Sequence, residues 1–565
     1  MRSLSLAAGL MALCLAASHT LAYQAAFTLP TRDQPQRLTF ASTSSSSTPT
    51  FAGQKVVRFS TATSSQHRQL LEQAHRLQLD VWAAQLGEAC GLQSSGFGCV
   101  DIRLAADTHN EDPFRSSAST SAEDIMASLM QPFADEAEQI SARTMIDDLE
   151  QLVSVQQQRV DEARTGQAMR GQAWHKDYHN LDEISSYMHM LQQGYPGYAK
   201  VVEIGTTHEG RAILALKVSK GLETEPQPPS PSPPTEPSPE PEPEPQPDPP
   251  SNTTSVPASD AAKLGIVITG GQHAREWIST SASLFFASDL LHAALGNPTT
   301  NATDDALLST LKKGRKGGRK GRKKKQTPTW TRSQARAILS TFTITVIPVA
   351  NPDGYVYSWD KNRMWRKNRQ PNKFPSGLFC KGVDLNRNYD YAFASSALAS
   401  PCSEMYAGTA AFSAAETRAL AAYLQDEGNN VRGFFDLHSY GQLMMYPFSF
   451  SCDHPVADEE DLLELSLGAV SALKRKHGRQ FTAGKVCQVY AAGGGNAVDW
   501  SYAATNSVDG VEGAKRRIKW SYSIELRDGG TYGFLLPPKQ IVPASQELAA
   551  ALAYMLEFIA KKDGR

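Results

Sequence analysis

The spacing of apolar residues divides the chain into two regions of mixed α and β structure. In the first region, residues 55–59 and 100–104 alternate like short strands. Apolar residues three to four positions apart predict helices over 66–86, 122–129 and 146–160. This stretch of roughly 115 residues is long enough to form a small domain of its own.

The second region begins near Trp174 and alternates predicted strands with predicted helices to the end of the chain. Helices are expected over 181–192 and 279–294. The predicted strands cover 201–204, 213–218, 264–269, 342–349, 433–437 and 521–526. This order predicts one large α/β domain with a mixed, mostly parallel twisted sheet flanked by helices.

The N-terminus has the features of a secretory signal. Arg2 supplies a positive charge, residues 4–17 form a short apolar run, and Ala22 suits cleavage. A short membrane anchor is the alternative, although the run is short for one. We therefore predict a signal peptide over 1–22 and an extracellular protein, with the vacuole or cell wall as other destinations. No internal stretch reaches about 18 uninterrupted apolar residues, so no membrane partner is expected.

Three segments have biased composition. Residues 23–52 are rich in Ser and Thr and are expected to be disordered. The Pro/Glu-rich insertion at 223–256 contains 14 of the 33 prolines, all within 226–250, and should be stiff and extended. The basic insertion at 312–326 could bind a polyanion, but its glycines and lack of aromatic residues favour a mobile loop.

Charge and cysteine content narrow the class of protein. There are 56 Lys and Arg against 58 Asp and Glu, so the chain is not a uniformly basic nucleic-acid binder, and no nucleic-acid partner is expected. Apart from Cys14 in the signal, the six cysteines form an even number, which predicts disulfides in an exported protein. Their order suggests pairing but does not fix it. Sequons at Asn252 and Asn301 are consistent with a glycoprotein.

Candidate metal ligands lie at strand ends. His273 and Glu276 follow a buried-strand candidate that runs into Gly270-Gly271, and a His and a Glu at this spacing can ligate one zinc ion. His438, at the end of another strand, is the best third ligand, although a lone histidine there could equally be a core residue satisfied by the backbone. Two imidazoles and one carboxylate would leave a position open for water, as hydrolysis requires.

Arginine and asparagine cluster in residues 363–367 and 384–388. The planar guanidinium group binds a carboxylate through two parallel hydrogen bonds, so these arginines suit a substrate with a free carboxylate. Taken singly, each arginine could instead be a surface ion-pair partner.

Six motifs, in this order, resemble those of the zinc metallocarboxypeptidases of the carboxypeptidase A type. They are HAREW (273–277), NRMWRKNR (362–369), GVDLNRNYD (382–390), SPCSEMYAG (400–408), DLHSY (436–440) and SIELRDGGTYGFLLP (523–537). The resemblance implies a catalytic domain over 171–565 that holds one Zn²⁺. It also implies a monomer that acts on peptide or protein C-termini.

The N-terminal region resembles the propeptide of the same family through LQLDVW (77–82), VDIRL (100–104) and TMIDDLEQLV (144–153). The resemblance implies an α+β open-sandwich domain over 53–170, including the connecting segment, that covers the active site. An activating protease would then cut the connecting segment, and Arg164 and Arg170 are candidate sites. The chain is accordingly expected to be a zymogen.

The resemblance also assigns roles around the metal. His273, Glu276 and His438 match the zinc ligands. Asp384 matches the acid that holds the remaining N–H of the first imidazole. Glu525 matches the general base, and Arg366 matches the group that stabilises the oxyanion. Glu525 could instead be a buried ion-pair partner, and some secreted fungal relatives that lack an acid here are non-catalytic. An inactive protein that binds peptides or zinc is therefore the alternative.

The remaining matched residues concern the substrate and the disulfides. Asn386, Arg387 and Tyr490 match the clamp on the terminal carboxylate, and Arg275 matches a residue of the next subsite. Val498 matches the floor of the pocket for the departing side chain, where an unpaired cation would be costly to bury, so apolar and aromatic C-terminal residues are expected. The resemblance implies the disulfide pairs Cys380/Cys402 and Cys452/Cys487, and the order along the chain suggests Cys90/Cys99 without fixing it.

Overall fold

A computed structural model describes most of the two predicted regions. The described residues are 51–91, 96–105, 121–134, 140–165, 171–222, 263–297, 328–373, 380–393, 400–491, 493–503 and 518–565. The predicted signal peptide, almost all of the Ser/Thr-rich segment and both insertions lie outside these residues, as do Arg170 and the two sequons.

The N-terminal region forms a four-stranded antiparallel sheet in the order β2-β3-β1-β4. The strand bounds are Lys55–Thr61 (β1), Asp80–Leu86 (β2), Gly98–Leu104 (β3) and Ser141–Ile146 (β4). Helices α1 (Ser64–Arg76) and α2 (Ala122–Met130) pack on one face, and a third helix, α3 (Leu149–Thr165), follows β4. Capping boxes at Thr63 and Ser121 fix the starts of α1 and α2.

Two expectations about this region are wrong in detail. The predicted helix over 66–86 ends at Arg76, because Gln78 has a positive φ of 54° and residues 80–86 form β2, paired with β3. Leu77 and Val81 fit both helical and alternating spacing, and the tertiary pairing decides between them. The helix predicted from Ile146 begins instead at Leu149, since Ile146 ends the largely exposed strand β4.

The second region forms an eight-stranded sheet in the order β11-β10-β12-β9-β7-β8-β6-β5. The bounds are Ala199–Thr206 (β5), Ala212–Val218 (β6), Leu264–Thr269 (β7), Phe342–Ile347 (β8), Val431–His438 (β9), Leu443–Tyr446 (β10), Thr482–Lys485 (β11) and Trp520–Glu525 (β12). Four neighbouring pairs are parallel and three are antiparallel. The predicted mixed sheet is therefore confirmed, although the four-residue strands β10 and β11 had no sequence signal.

Helices cover both faces of this sheet. Their bounds are Leu181–Gly194 (α4), Trp277–Leu295 (α5), Arg332–Thr341 (α6), Pro352–Asp360 (α7), Ala415–Gln425 (α8), Glu459–His477 (α9), Val486–Val489 (α10), Ala497–Ala503 (α11) and Ile541–Lys562 (α12). Helices α4, α5, α6, α9 and α12 contribute to the larger apolar cluster, and α8 and α11 to the smaller one on the other face. Strands β7, β9 and β12 are parallel neighbours, so their carboxyl ends lie at one edge of the sheet.

Two further features concern export and membranes. Three disulfides join Cys90 to Cys99, Cys380 to Cys402 and Cys452 to Cys487. Among the described residues, α5 alone is long and apolar enough to cross a membrane, but most of it is buried between the sheet and α12. A core helix of a folded domain has the same properties, so α5 carries no separate conclusion about membranes.

Candidate metal centre and its cleft

Three potential metal ligands meet at the edge where β7 and β9 end. His273 and Glu276 lie in the turn between β7 and α5, and His438 is the last residue of β9. The turn depends on Gly271, which has a φ of +59° and would place a Cβ 2.9 Å from Thr280 Oγ1. One ligand atom from each of the three side chains lies within 4.8 Å of the others, and all three side chains are buried.

Hydrogen bonds orient both imidazole rings. Nε2 of His273 lies 3.1 Å from Asp384 Oδ1, and Nε2 of His438 lies 2.8 Å from Asp436 Oδ2. Because carboxylates only accept, these contacts place a proton on each Nε2. The Nδ1 atoms lie 2.8 Å and 3.0 Å from the two carboxylate oxygens of Glu276.

This donor set fits zinc. Each Nδ1 faces an oxygen of Glu276, and a divalent cation could take the place of any proton shared between them, because metal ligands bind in their deprotonated form. Two imidazole nitrogens and one carboxylate oxygen are also a common set for a catalytic zinc site with an open position. Burial favours the neutral form of Glu276, but the two imidazoles outweigh it and hold its pKa well below the usual range. Conversely, Asp436 and Glu276 raise the pKa of His438 despite its burial.

Arg366 and Asp384 form an ion pair beside the ligands. Arg366 donates from Nη2 and Nε to Asp384 Oδ2 at 2.8 Å and 3.2 Å, and its Nη1 lies 3.2 Å from His273 Nδ1. Burial alone would raise the pKa of Asp384, but Arg366 and His273 hold it well below the ordinary value. The guanidinium group is thus fixed next to the metal site with its charge partly balanced.

Glu525 ends β12 directly beside His438, with which it is in register across the parallel β12–β9 pair. Its Oε2 is buried and has no hydrogen-bond partner within the described part of the chain. Burial is the main cause that raises the pKa of Glu525 to about 8, and the like charge of Glu276 adds to it. A bound divalent cation would lower this pKa, because an opposite charge favours the carboxylate.

Four of the five predicted substrate residues line the same cleft of about 530 Å³ as the ligands and Glu525, and Arg275 is not among its lining residues. The lining includes Trp82, Arg366, Asn386, Arg387, Met445, Ser449, Val486, Tyr490, Asn496, Val498 and Ser523. Val498 belongs to a small apolar cluster with Met445 and Val486, so one wall of the cleft is uncharged.

Asn386 and Arg387, two of the polar residues of the cleft, are positioned by hydrogen bonds to the backbone. Asn386 Oδ1 accepts from the Ala497 amide at 2.9 Å, and Arg387 Nη1 donates to the Asn386 carbonyl at 2.8 Å. Burial lowers the pKa of Arg387 and raises that of Tyr490. A guanidinium group that has lost much of its water has most to gain from a carboxylate ligand.

Arg275 contacts the N-terminal domain, a partner that sequence reasoning did not foresee. Its guanidinium group is fully buried and donates to both carboxylate oxygens of Asp80 on β2, at 2.8 Å to 3.0 Å. It also lies 4.3 Å from the Phe534 ring centroid. Nothing in the local sequence could have shown a pairing across 195 positions.

Asp436 had no role in the sequence analysis, but in the structure its carboxylate is hydrogen-bonded to His438. Asp436 precedes His438 by two residues on β9, so both side chains lie on the same face of the strand. The i, i+2 spacing was the available signal.

A mixed α/β sheet with a His–Glu–His group at its strand ends, next to a buried carboxyl group, is typical of zinc-dependent hydrolases. The zinc carboxypeptidase family model matches residues 184–312 and 326–551, more than half of the chain. The chain therefore belongs to the zinc carboxypeptidase family, which confirms the resemblance of the six motifs.

A carboxypeptidase and a protein named inactive have the same sequence identity to this chain. Carboxypeptidase A1 of Homo sapiens is 30% identical over 510 residues, covering 90% of this chain and 94% of that protein. Inactive metallocarboxypeptidase ECM14 of Ajellomyces dermatitidis is 30% identical over 540 residues, covering 90% and 72%. The crystal structure of thrombin activatable fibrinolysis inhibitor aligns with a TM-score of 0.61 and 25% identity, covering 90% of this chain and 99% of that one. Catalytic activity therefore has to be argued from the residues of the cleft.

Proposed function

We propose that this protein is a secreted metallocarboxypeptidase, made as a zymogen, that removes one residue at a time from peptide C-termini. The observation that carries the proposal is Glu525, a buried carboxyl group in the same cleft as the His–Glu–His group, one oxygen of which has no hydrogen-bond partner among the described residues. A base of raised pKa beside a metal site is what hydrolysis needs and what a structural ion pair would not leave free.

Each residue of the cleft has a defined task in this proposal. His273, Glu276 and His438 would hold zinc, which supplies Lewis-acid chemistry at the scissile carbonyl when bound. Glu525 takes a proton from the attacking water and passes it to the leaving amine. Arg366, held by Asp384, donates to the developing oxyanion.

Two parts of the cleft would bind the C-terminal residue of the peptide substrate. Arg387 with Asn386 and Tyr490 would bind the terminal carboxylate, since a guanidinium group can donate two parallel hydrogen bonds to it. The side chain of the departing residue would then enter the space beside Val498.

Metal removal tests the proposal directly. We expect release of C-terminal residues from a mixed peptide set, followed by mass spectrometry, to fall at least ~100-fold after treatment with a chelator, since the Lewis acid of the proposed mechanism is then lost. Activity should return when zinc is added. Before the assay, the chain is cut between the N-terminal region and residue 171. Absence of turnover by the zinc-loaded, cut protein would contradict the proposal.

A catalytically inactive protein that binds peptides or zinc is the second candidate, because relatives named inactive are as similar to this chain as carboxypeptidase A1 is. The two candidates differ in turnover alone. A zinc-loaded protein that binds peptides and leaves them intact would support the catalytically inactive alternative.

Specificity should depend on Val498. We expect the enzyme to release Phe, Leu or Tyr faster than Lys or Arg, because the wall formed by Met445, Val486 and Val498 offers a cation no partner. Val498→Asp should shift the ratio of kcat/KM for Lys over Phe by about 10²-fold or more towards Lys. Val498→Thr, nearly equal in shape and uncharged, is the matched control. Faster release of Lys than of Phe by the unsubstituted enzyme would overturn the assignment.

The zymogen proposal is supported by contacts of β2 with the cleft. Trp82 lines the cleft, and Asp80 binds Arg275. The Ala491 amide donates to the Ala84 carbonyl at 2.8 Å, and Gln85 Nε2 donates to the Gly441 carbonyl at 3.1 Å. A peptide would have to displace these contacts. Arg164, one candidate cleavage site, is in the last turn of α3.

Secretion is proposed from the N-terminal sequence and from the three disulfides, which persist in oxidising compartments.

A further inference from the structure

Asp436 makes a contact with the second imidazole that matches the contact of Asp384 with the first. Its Oδ2 accepts from His438 Nε2 at 2.8 Å, and both side chains are almost completely buried. Its Oδ1 accepts from the Thr269 hydroxyl at 2.5 Å. Both oxygens are therefore committed, and the carboxylate cannot turn away from the ring.

The backbone explains why this geometry is rigid. Thr269 and Asp436 are register partners on the parallel neighbours β7 and β9. His438 is two residues further along β9, on the same face of the strand. The orientation of the ring therefore depends on the sheet itself and not on a loop.

We propose that Asp436 is a positioning residue for the metal, which fixes the Nε2–H tautomer of His438 and presents Nδ1 to the ion. This proposal rests on the proposed zinc site. Nδ1 can bind a metal only when it carries a lone pair, and in the neutral ring a proton held at Nε2 leaves that lone pair on Nδ1. A charged acceptor also makes the imidazole a stronger donor to the metal.

Asn386 is the competing neighbour at the same ring nitrogen. Its Nδ2 lies 3.2 Å from His438 Nε2, while its Oδ1 is occupied by the Ala497 amide. An amide nitrogen is a donor and cannot accept the ring proton. The shorter contact to a charged oxygen therefore decides the tautomer in favour of Asp436.

The two acids differ in how their charge is balanced. Asp384 is paired with Arg366 at 2.8 Å. Within the described part of the chain, the ion-pair contact of Asp436 is with His438 itself. Asp436 thus acts through the imidazole on whatever cation Nδ1 binds. Loss of Asp436 should accordingly weaken metal binding even where the fold is kept.

The test measures zinc affinity of the full chain by competition with a chelator, without any assay of turnover. We expect Asp436→Ala to weaken zinc binding about 10- to 100-fold. Asp436→Asn, which keeps an acceptor oxygen and the shape but loses the charge, should weaken it less, and Thr269→Val should have a smaller effect still.

Asp353→Asn is the matched control. Asp353 is also a buried acid that accepts from a threonine hydroxyl, Thr207 at 2.7 Å, but it lies on α7 away from the cleft. This variant should bind zinc as the unsubstituted chain does.

Zinc affinity within about twofold of the unsubstituted chain in both Asp436 variants would overturn the positioning role. If Asp436→Ala does not fold, the isosteric Asn variant decides alone. Failure of the unsubstituted chain to bind zinc would instead refute the zinc site of the proposed function, so the two failures are distinguishable.

Discussion

Replacement of Glu525 by Gln is expected to lower kcat by about 10²- to 10⁴-fold while zinc remains bound. Gln has the shape of Glu but cannot take a proton from water, so the loss should fall on the chemical step. At 25 °C this is a rise of about 3 to 5 kcal/mol in the activation free energy. KM should change little, because Arg387 and the apolar wall still bind the substrate.

Three measurements make this prediction decisive. Zinc content per chain, determined by elemental analysis, should equal that of the unsubstituted enzyme. Binding of an uncleaved peptide should be kept. Glu416→Gln supplies the control for loss of a buried carboxyl group, since Glu416 lies on α8 and accepts from Asn368 at 3.0 Å, away from the cleft. Undiminished turnover by the Glu525 variant would remove this residue from the base role.

Overall similarity does not distinguish an active protein from an inactive one. Family membership follows from the whole chain and is shared by carboxypeptidase A1 and by proteins named inactive. Activity depends on a few groups that must lie within reach of one another. Here the proposed base, the proposed metal ligands and Arg366 all line one cleft.

The pattern of apolar residues was sufficient to predict the strands whose ends carry the candidate site. Strands β7, β9 and β12 are apolar runs that end in chemically distinctive residues, and parallel strands bring their ends to one edge. His273 and His438 could be chosen on this basis, whereas Glu525 was assigned through the family resemblance. The ordered motifs then named the ligands more firmly than any single spacing could.

The features that could not be predicted from the sequence depend on contacts between residues far apart along the chain. Residues 80–86 fit a helix as well as a strand, and pairing with β3 decides the outcome. Strands β10 and β11 are too short to show a period. The engagement of Arg275 by Asp80 and the role of Asp436 both depend on side-chain geometry in the folded chain.

Cleavage between the two regions is expected to raise activity towards peptides by about 10³-fold. A tethered domain has an effective concentration on the order of mM, so even a µM affinity for the cleft leaves only about 0.1% of molecules open. A recognition sequence for a specific protease, placed within 166–170, allows the same preparation to be assayed before and after cutting. The unmodified chain, treated with that protease, controls for other cuts. Equal activity before and after would refute the zymogen proposal.

The buried pair of Asp80 and Arg275 provides the most specific form of this prediction. Both side chains are inaccessible to solvent, and removal of one partner of such a pair typically costs about 3 to 5 kcal/mol. In the uncut chain, Asp80→Asn should therefore loosen the N-terminal domain and raise basal peptide turnover at least ~10-fold. Asp147→Asn, which removes an exposed acid of the same domain paired with Lys55, should leave turnover unchanged. If Asp80→Asn does not raise activity in the uncut chain, while cutting does, the pair of Asp80 and Arg275 is not the inhibitory contact.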